Sequence, residues 1–195
     1  MVMIDEPANA DRAPALDIAA NRAARKWSRQ ELAGRALWEI LYLPLFAWTP
    51  RPFWAWRRGV LRLFGARIGA EVNIAPNVRI AVPWNLDIGA AAAVGERAIL
   101  YALGPIHIGR GATISQHAHL CAGTHDYTRP DLPLLKPPIT IGVGAWICAD
   151  AFIGPGVTVG DFAVVGARAV AMRDVPASTI VAGNPARPIG KRRIG

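Results

Sequence analysis

Aliphatic residues stand six apart over most of this chain: Ile68, Ile74 and Ile80, then Ile88, Val94 and Leu100, then Ile108, Ile114 and Leu120, and, after an interruption, Ile141, Ile147, Ile153, Val159 and Val165. Two places before each stands a second small or aliphatic residue, from Ala66 and Val72 to Val157 and Ala163, and glycine often follows, as at Gly69, Gly89, Gly109, Gly142, Gly154 and Gly160. A helix of 3.6 residues per turn cannot keep a strict period of six on one face, and a strand of period 2 needs no glycine at every sixth place. Short strands joined by tight corners satisfy both patterns. Three sixes close one triangular coil, with the aliphatic residue inward and small residues easing the corners. The frames at 68, 88 and 108 are twenty apart, so the early coils carry extra residues at one corner. The pattern predicts a mainly β fold: a parallel β-helix of about five coils over residues 66–176, its core a column of Ile, Val and Leu.

The flanks differ in texture. Residues 1–26 mix Ala, Pro, Asn and Asp without sustained periodicity and read as a loose terminus. Over 27–65, Leu32, Ala36, Leu37, Ile40, Leu41 and Leu45 recur at helical spacing, Pro50 and Pro52 break the pattern, and Phe53, Trp56, Val60, Leu63 and Phe64 restart it. A pair of amphipathic helices is expected, packed on the column. Arg57, Arg58 and Arg62 fall mainly off the apolar stripe, so the pair also suits a peripheral membrane contact, with Trp48, Trp54 and Trp56 at headgroup level. The stretch from Ala36 to Trp48, interrupted by Glu39 and Pro44, is shorter than the ~20 residues that cross a bilayer. Two cysteines, Cys121 and Cys148, and no secretory pattern at the start make a reducing cytoplasm the default expectation.

The net charge of +8 sits at the ends. Residues 1–67 hold 11 Lys and Arg against 6 Asp and Glu, and residues 164–195 hold 6 against 1. No aromatics alternate with cations as on a base-stacking sheet, so nucleic acid is set aside in favour of a small phosphorylated ligand.

The interruption is a loop extruded at residues 124–138, stiffened by Pro130, Pro133, Pro137 and Pro138 and rooted at Thr124-His125-Asp126. A rigid coil would hold His125 in place, and an imidazole, titrating near neutrality, can take a proton from a hydroxyl. His117 and His119 together with His125 raise a zinc site. Positions beside inward Ala118 and Leu120 account for the first two more simply. Cys121, four residues before His125, raises a Cys–His nucleophile that lacks an orienting third residue. The run from Gly154 to Gly160 has the wrong last spacing for a dinucleotide fingerprint and is repeat punctuation.

The segments "ISQHAHLCAGTHDY", "ITIGVGAWICADAFIGPGVTVG", "VAGNPARPIG" and the preceding "FWAWRRGVLRLFGARIG" resemble the hexapeptide-repeat acyltransferases, in particular the acetyltransferases of exopolysaccharide biosynthesis of the colanic-acid type. The resemblance implies a left-handed coil, a homotrimer with sites between subunits, and acetyl-CoA-dependent O-acetylation of a sugar in surface-polysaccharide biosynthesis, the acceptor being free, lipid-linked or nucleotide-linked. It makes His125 the general base, assigns the oxyanion donor to the amide near Ala149 of the neighbouring subunit, and lines the cofactor channel with Trp146, Gly166, Ala167, Arg173 and Arg187, with Lys191 in the tail at 177–195. Relatives acting on simple galactosides carry an acceptor-holding Asn where this chain has Gly95-Glu96. Glu96, Asp126 and Tyr127 are the acceptor candidates instead. The γ-class carbonic anhydrases share the coil but bind zinc through a His-x4-His pair absent here. They and a non-enzymatic trimeric assembly module are the alternatives, and no metal is expected.

Overall fold

The computed structural model describes residues 16–194. Three parallel sheets form the faces of the column. The first stacks Arg67–Ile68, Leu86–Ile88, Ile106–Ile108, Ile139–Ile141 and Thr158–Val159. The second stacks Asn73–Ile74, Ala93–Val94, Thr113–Ile114, Trp146–Ile147, Val164–Val165 and Thr179–Ala182; the third, Arg79–Ile80, Ile99–Tyr101, His119–Cys121, Phe152–Ile153 and Val170–Ala171. Five coils are complete. A partial sixth follows, formed by the bridge of Val175 to Val159 and by the pairing of Thr179–Ala182 on Val164–Val165, so the column is slightly longer than the repeat predicts. Every aliphatic residue of the six-residue frame is buried, and so is its partner two places earlier.

Corner glycines answer to spacing rather than to φ. A Cβ on Gly69 or Gly142 would lie 2.4 or 2.5 Å from the amide nitrogen of Ala90 or Asp161 in the next coil, closer than coils can separate. Two residues on, the backbone does turn left-handed, and here side chains are tolerated: Glu71, Ala91 and Phe162 have φ of 57°, 56° and 56°. A ladder fixes them, with the Ala91 amide donating to the Ala70 carbonyl and the Phe162 amide to Val143. Such positions each cost about 1–2 kcal/mol for a residue with a Cβ.

Carbonyls of the inward residues accept from amides of the preceding coil, as Ile88 does from Gly69 and Ile108 from Gly89, both at 2.7 Å. The inward residues of the first coil, with no coil before them, consequently present their carbonyls to the N-terminal end. The helices close that end. Helix α2 (Arg29–Tyr42) begins at a capping box of Ser28 and Glu31 and runs into a wide turn, Leu43–Ala47, around Pro44; helix α3 spans Trp54–Leu63. From them Trp38 Nε1 donates to the Ile80 carbonyl at 2.8 Å, the Tyr42 hydroxyl to Val78 at 3.1 Å, Arg57 Nε to Ile74 at 2.7 Å, Arg58 to Val72 at 3.0 Å and Arg62 to Ile68. The three arginines that fall off the apolar stripe are therefore turned onto the column's open carbonyls, since buried acceptors must find donors. Leu37, Ile40 and Trp48 remain exposed on α2 and the turn after it. No helix among the described residues is long and apolar enough to cross a membrane.

Of the terminus expected to be loose, residues 1–15 lie outside the described residues. Residues 16–26 depart from the expectation. A short helix, α1 (Ile18–Ala23), is capped by Asp17, whose carboxylate accepts from the Ala20 amide. It lies on the extruded arm, the Asp17 amide donating to the Pro130 carbonyl at 2.8 Å. The reason is again unmet carbonyls, because an arm pushed out of the ladder has no neighbouring coil to donate to it. The arm is a hairpin in which Thr124–His125 pairs antiparallel with Leu134–Leu135. At the other end of the column, Thr179–Ala182 and Arg187–Lys191 form an antiparallel hairpin.

Candidate active site

His125 occupies the first strand of the arm, opposite Leu134. Its Nδ1 lies 2.7 Å from the Leu132 carbonyl. A carbonyl can only accept, so Nδ1 carries the hydrogen and Nε2 of the neutral ring presents its lone pair. The ring is exposed, leaving that lone pair open to a reactant. Leu132 holds its carbonyl there with φ of 43°, a left-handed conformation for a branched residue, and its own amide donates to Arg129.

The remaining candidates fall on two edges of the column. The arm leaves the edge between the third and first sheets, and higher on the same edge Arg173 and Arg187 line one cavity of about 420 Å³ with Met172, Pro176 and Pro185. Between arm and cavity the floor is Gly154-Pro155-Gly156, and the two levels are two coils apart, roughly 10 Å at ordinary strand spacing. Ala149, Gly166 and Ala167 stand instead on the edge between the second and third sheets. Glu96, Gln116, Ala149 and Ala167 stack along it, since the amide following each of Gln116, Ala149 and Ala167 donates to the carbonyl of the residue below. Among the described residues the Ala149 amide itself has no acceptor within the chain. Trp146 flanks this edge on the second sheet, half-exposed, with Nε1 donating to Ser115 Oγ at 2.9 Å. Within one chain His125 and the Ala149 amide thus rise from different corners.

The acceptor candidates are dispersed. Glu96 forms an exposed ion pair with Arg51 at 3.1 Å, and Tyr127 is 85 % exposed at the arm's tip. The hydroxyl and then the amide of Thr128 hold the Asp126 carboxyl below the usual carboxylate range. Lys191 stands apart from the Arg173–Arg187 cavity, donating to Thr179 Oγ1 at 2.8 Å.

The three histidines do not converge. His117 sits at a corner with φ of 60°, while the His119 ring lies edge-on between Tyr101 and Phe152 with Nε2 buried and unpartnered. Among the described residues no group of three or more His, Cys, Asp or Glu could hold a metal ion. Burial raises the Cys121 thiol above its ordinary value, and its Sγ faces the Gly123 carbonyl at 3.4 Å. It is a thiol in a satisfied contact, a poor nucleophile. Two contributors escape a reading of the residues: the Leu132 carbonyl, which carries no side-chain signal, and Ser115, whose outward place two residues before His117 could have marked it.

The chain matches no family model. It is 44% identical over 156 residues, 80% of this chain and 86% of the relative, to WcaF of Escherichia coli K12, named as a colanic acid biosynthesis acetyltransferase. Among solved structures it is similar to a hexapeptide-repeat acetyltransferase of Vibrio cholerae complexed with acetyl coenzyme A, with a TM-score of 0.79 and 25% identity over 87% of this chain and 93% of that one. A maltose O-acetyltransferase of Clostridium difficile 630 superposes with a TM-score of 0.77 at 26% identity, over 86% and 90% of the two chains.

Proposed function

Because this chain belongs to the hexapeptide-repeat acetyltransferases, we propose that it moves an acetyl group from acetyl-CoA to a sugar hydroxyl of a surface-polysaccharide precursor, with His125 as general base. The observation that carries the assignment of the base is the hydrogen bond from Nδ1 to the Leu132 carbonyl, which leaves Nε2 as the acceptor. Nε2 takes the hydroxyl proton as the acceptor oxygen bonds to the thioester carbonyl carbon. The C–S bond then breaks, and the proton passes from the imidazolium to the departing thiolate, restoring the neutral ring. Charge developing on the carbonyl oxygen calls for a fixed donor, and the Ala149 amide, with no acceptor of its own, is suited to that role.

The split between edges supports a homotrimer whose sites lie between subunits. One copy contributes the arm and the arginine cavity, and its neighbour the edge bearing Ala149, Gly166, Ala167 and Trp146. Two guanidiniums in one cavity suit the phosphates of coenzyme A. Glu96, Asp126 and Tyr127 are assigned to the acceptor, a free, lipid-linked or nucleotide-linked sugar. The exposed Leu37, Ile40 and Trp48, on a terminal region rich in arginine, suit peripheral contact with the cytoplasmic face of an anionic membrane, where such precursors are assembled. Incubating the purified protein with acetyl-CoA and a panel of sugars and sugar nucleotides, and following free thiol, tests the reaction. Acceptor-dependent thiol release is expected; none across the panel, with no binding of acetyl-CoA, would remove the proposal.

A further inference from the structure

We infer that Asn21, on the short helix α1 more than a hundred residues from the arm in sequence, is a positioning residue that sets the orientation and tautomer of His125. The inference rests on the reading of His125 as the base. Asn21 Nδ2 donates to the Asp131 carbonyl and to the Leu132 carbonyl, both at 2.7 Å. The second is the same oxygen that accepts from His125 Nδ1 at 2.7 Å. One carbonyl is thus held from two sides, by an amide from the helix and by the ring.

Asn21 is itself oriented. Lys26 Nζ donates to its Oδ1 at 2.7 Å, which fixes Nδ2 as the end that faces the arm. Lys136, at the far root of the arm, donates to the Lys26 carbonyl at 2.9 Å and lies 3.4 Å from the centre of the Trp27 ring. With the Asp17 amide on Pro130, residues 17–27 make a strap that meets the arm at its tip and at its base. The strap has work to do there, because Leu132 sits at φ of 43°. A branched residue keeps such a conformation only where its surroundings over-determine it. Without the two bonds from Asn21, Leu132 relaxes toward negative φ and its carbonyl swings off Nδ1. The neutral imidazole then loses the preference that leaves Nε2 unprotonated. A base misplaced by an ångström or presented as the wrong tautomer loses much of its rate, about 100-fold in typical cases.

Asn21→Asp is the informative change, since it keeps the shape and the contact with Lys26 but replaces both donated hydrogens with an acceptor. In the full-length protein we expect turnover to fall about 10- to 100-fold, with the acetyl-CoA Michaelis constant within about twofold. Imidazole ¹⁵N NMR of His125 is expected to change from a pyridine-type Nε2 to a mixture of tautomers. Asn21→Gln, which restores the amide on a longer stem, is expected to recover part of both. Unchanged turnover and an unchanged tautomer in Asn21→Asp, beside an inactive His125→Ala, would overturn the inference and leave the base assignment standing. A changed tautomer with normal turnover would support the strap and overturn the assignment of His125.

Discussion

Replacing Arg57 with leucine should cost more stability than the same change at Arg58, one residue along the same helix. Arg57 is 0 % exposed and donates to the Ile74 carbonyl at 2.7 Å, to Thr49 Oγ1 and the Pro50 carbonyl at 2.9 Å each, and to the Arg51 carbonyl. The Ile74 carbonyl lies at the uncovered end of the column, where no further coil can supply a donor. Leucine leaves it buried and unpaired, a loss of about 1–3 kcal/mol. The groups around Thr49–Arg51 lose their donor too but lie nearer the surface and regain water. Against this, leucine removes a desolvated cation, whose burial already draws its pKa below the usual guanidinium value. The net expectation stays within that loss of about 1–3 kcal/mol, or about 2–12 °C in Tm for a chain of this size. Arg58 is half-buried and makes one bond, to Val72 at 3.0 Å, so its leucine variant should lose under about 1 kcal/mol. Urea unfolding followed by tryptophan fluorescence compares the two at equal charge. If Arg57→Leu lost under about 1 kcal/mol, the idea that the helices hold the column by satisfying its open carbonyls would be wrong.

Other outcomes follow from the same geometry. Burial lowers the His119 pKa below its ordinary 6.5, so the unfolded chain binds this proton more readily than the folded one. Stability should fall as pH drops below that ordinary value, and His119→Leu should flatten the fall between about pH 7 and 5; a steeper fall in the variant would contradict the sign. Arg187→Ala and Arg173→Ala should each raise the acetyl-CoA Michaelis constant about tenfold, consistent with one lost charge-assisted bond, and the acceptor's by less. Lys191→Ala, tied to Thr179, should shift it by under about twofold; equal effects at the three positions would speak for a diffuse basic tail.

The column was readable because its period comes from a local rule repeated in place, so fourteen frame positions from Ile68 to Val165 report the same geometry. The ends of the column were not. Arg57, Arg58 and Arg62 look like the polar face of an amphipathic helix, and only the direction in which the coils donate their hydrogen bonds shows that the first coil presents bare carbonyls to them. The strap was equally hidden, since Asn21 meets the arm across more than a hundred residues through main-chain oxygens that any sequence provides. Among the candidate residues, His125 is marked in the sequence by standing where the repeat breaks. Glu96 and Lys191 carried chemistry-bearing groups without any signal of the partners, Arg51 and Thr179, that the fold gives them.

The base assignment stands or falls with His125→Ala, assayed for thiol release from acetyl-CoA in the presence of acceptor, alongside a direct measurement of acetyl-CoA binding. Turnover is predicted to drop roughly 10²- to 10⁴-fold with the Kd for acetyl-CoA nearly unchanged. Turnover within a few-fold of the wild type would contradict the account, because the imidazole held by the Leu132 carbonyl would then take no part in moving the proton.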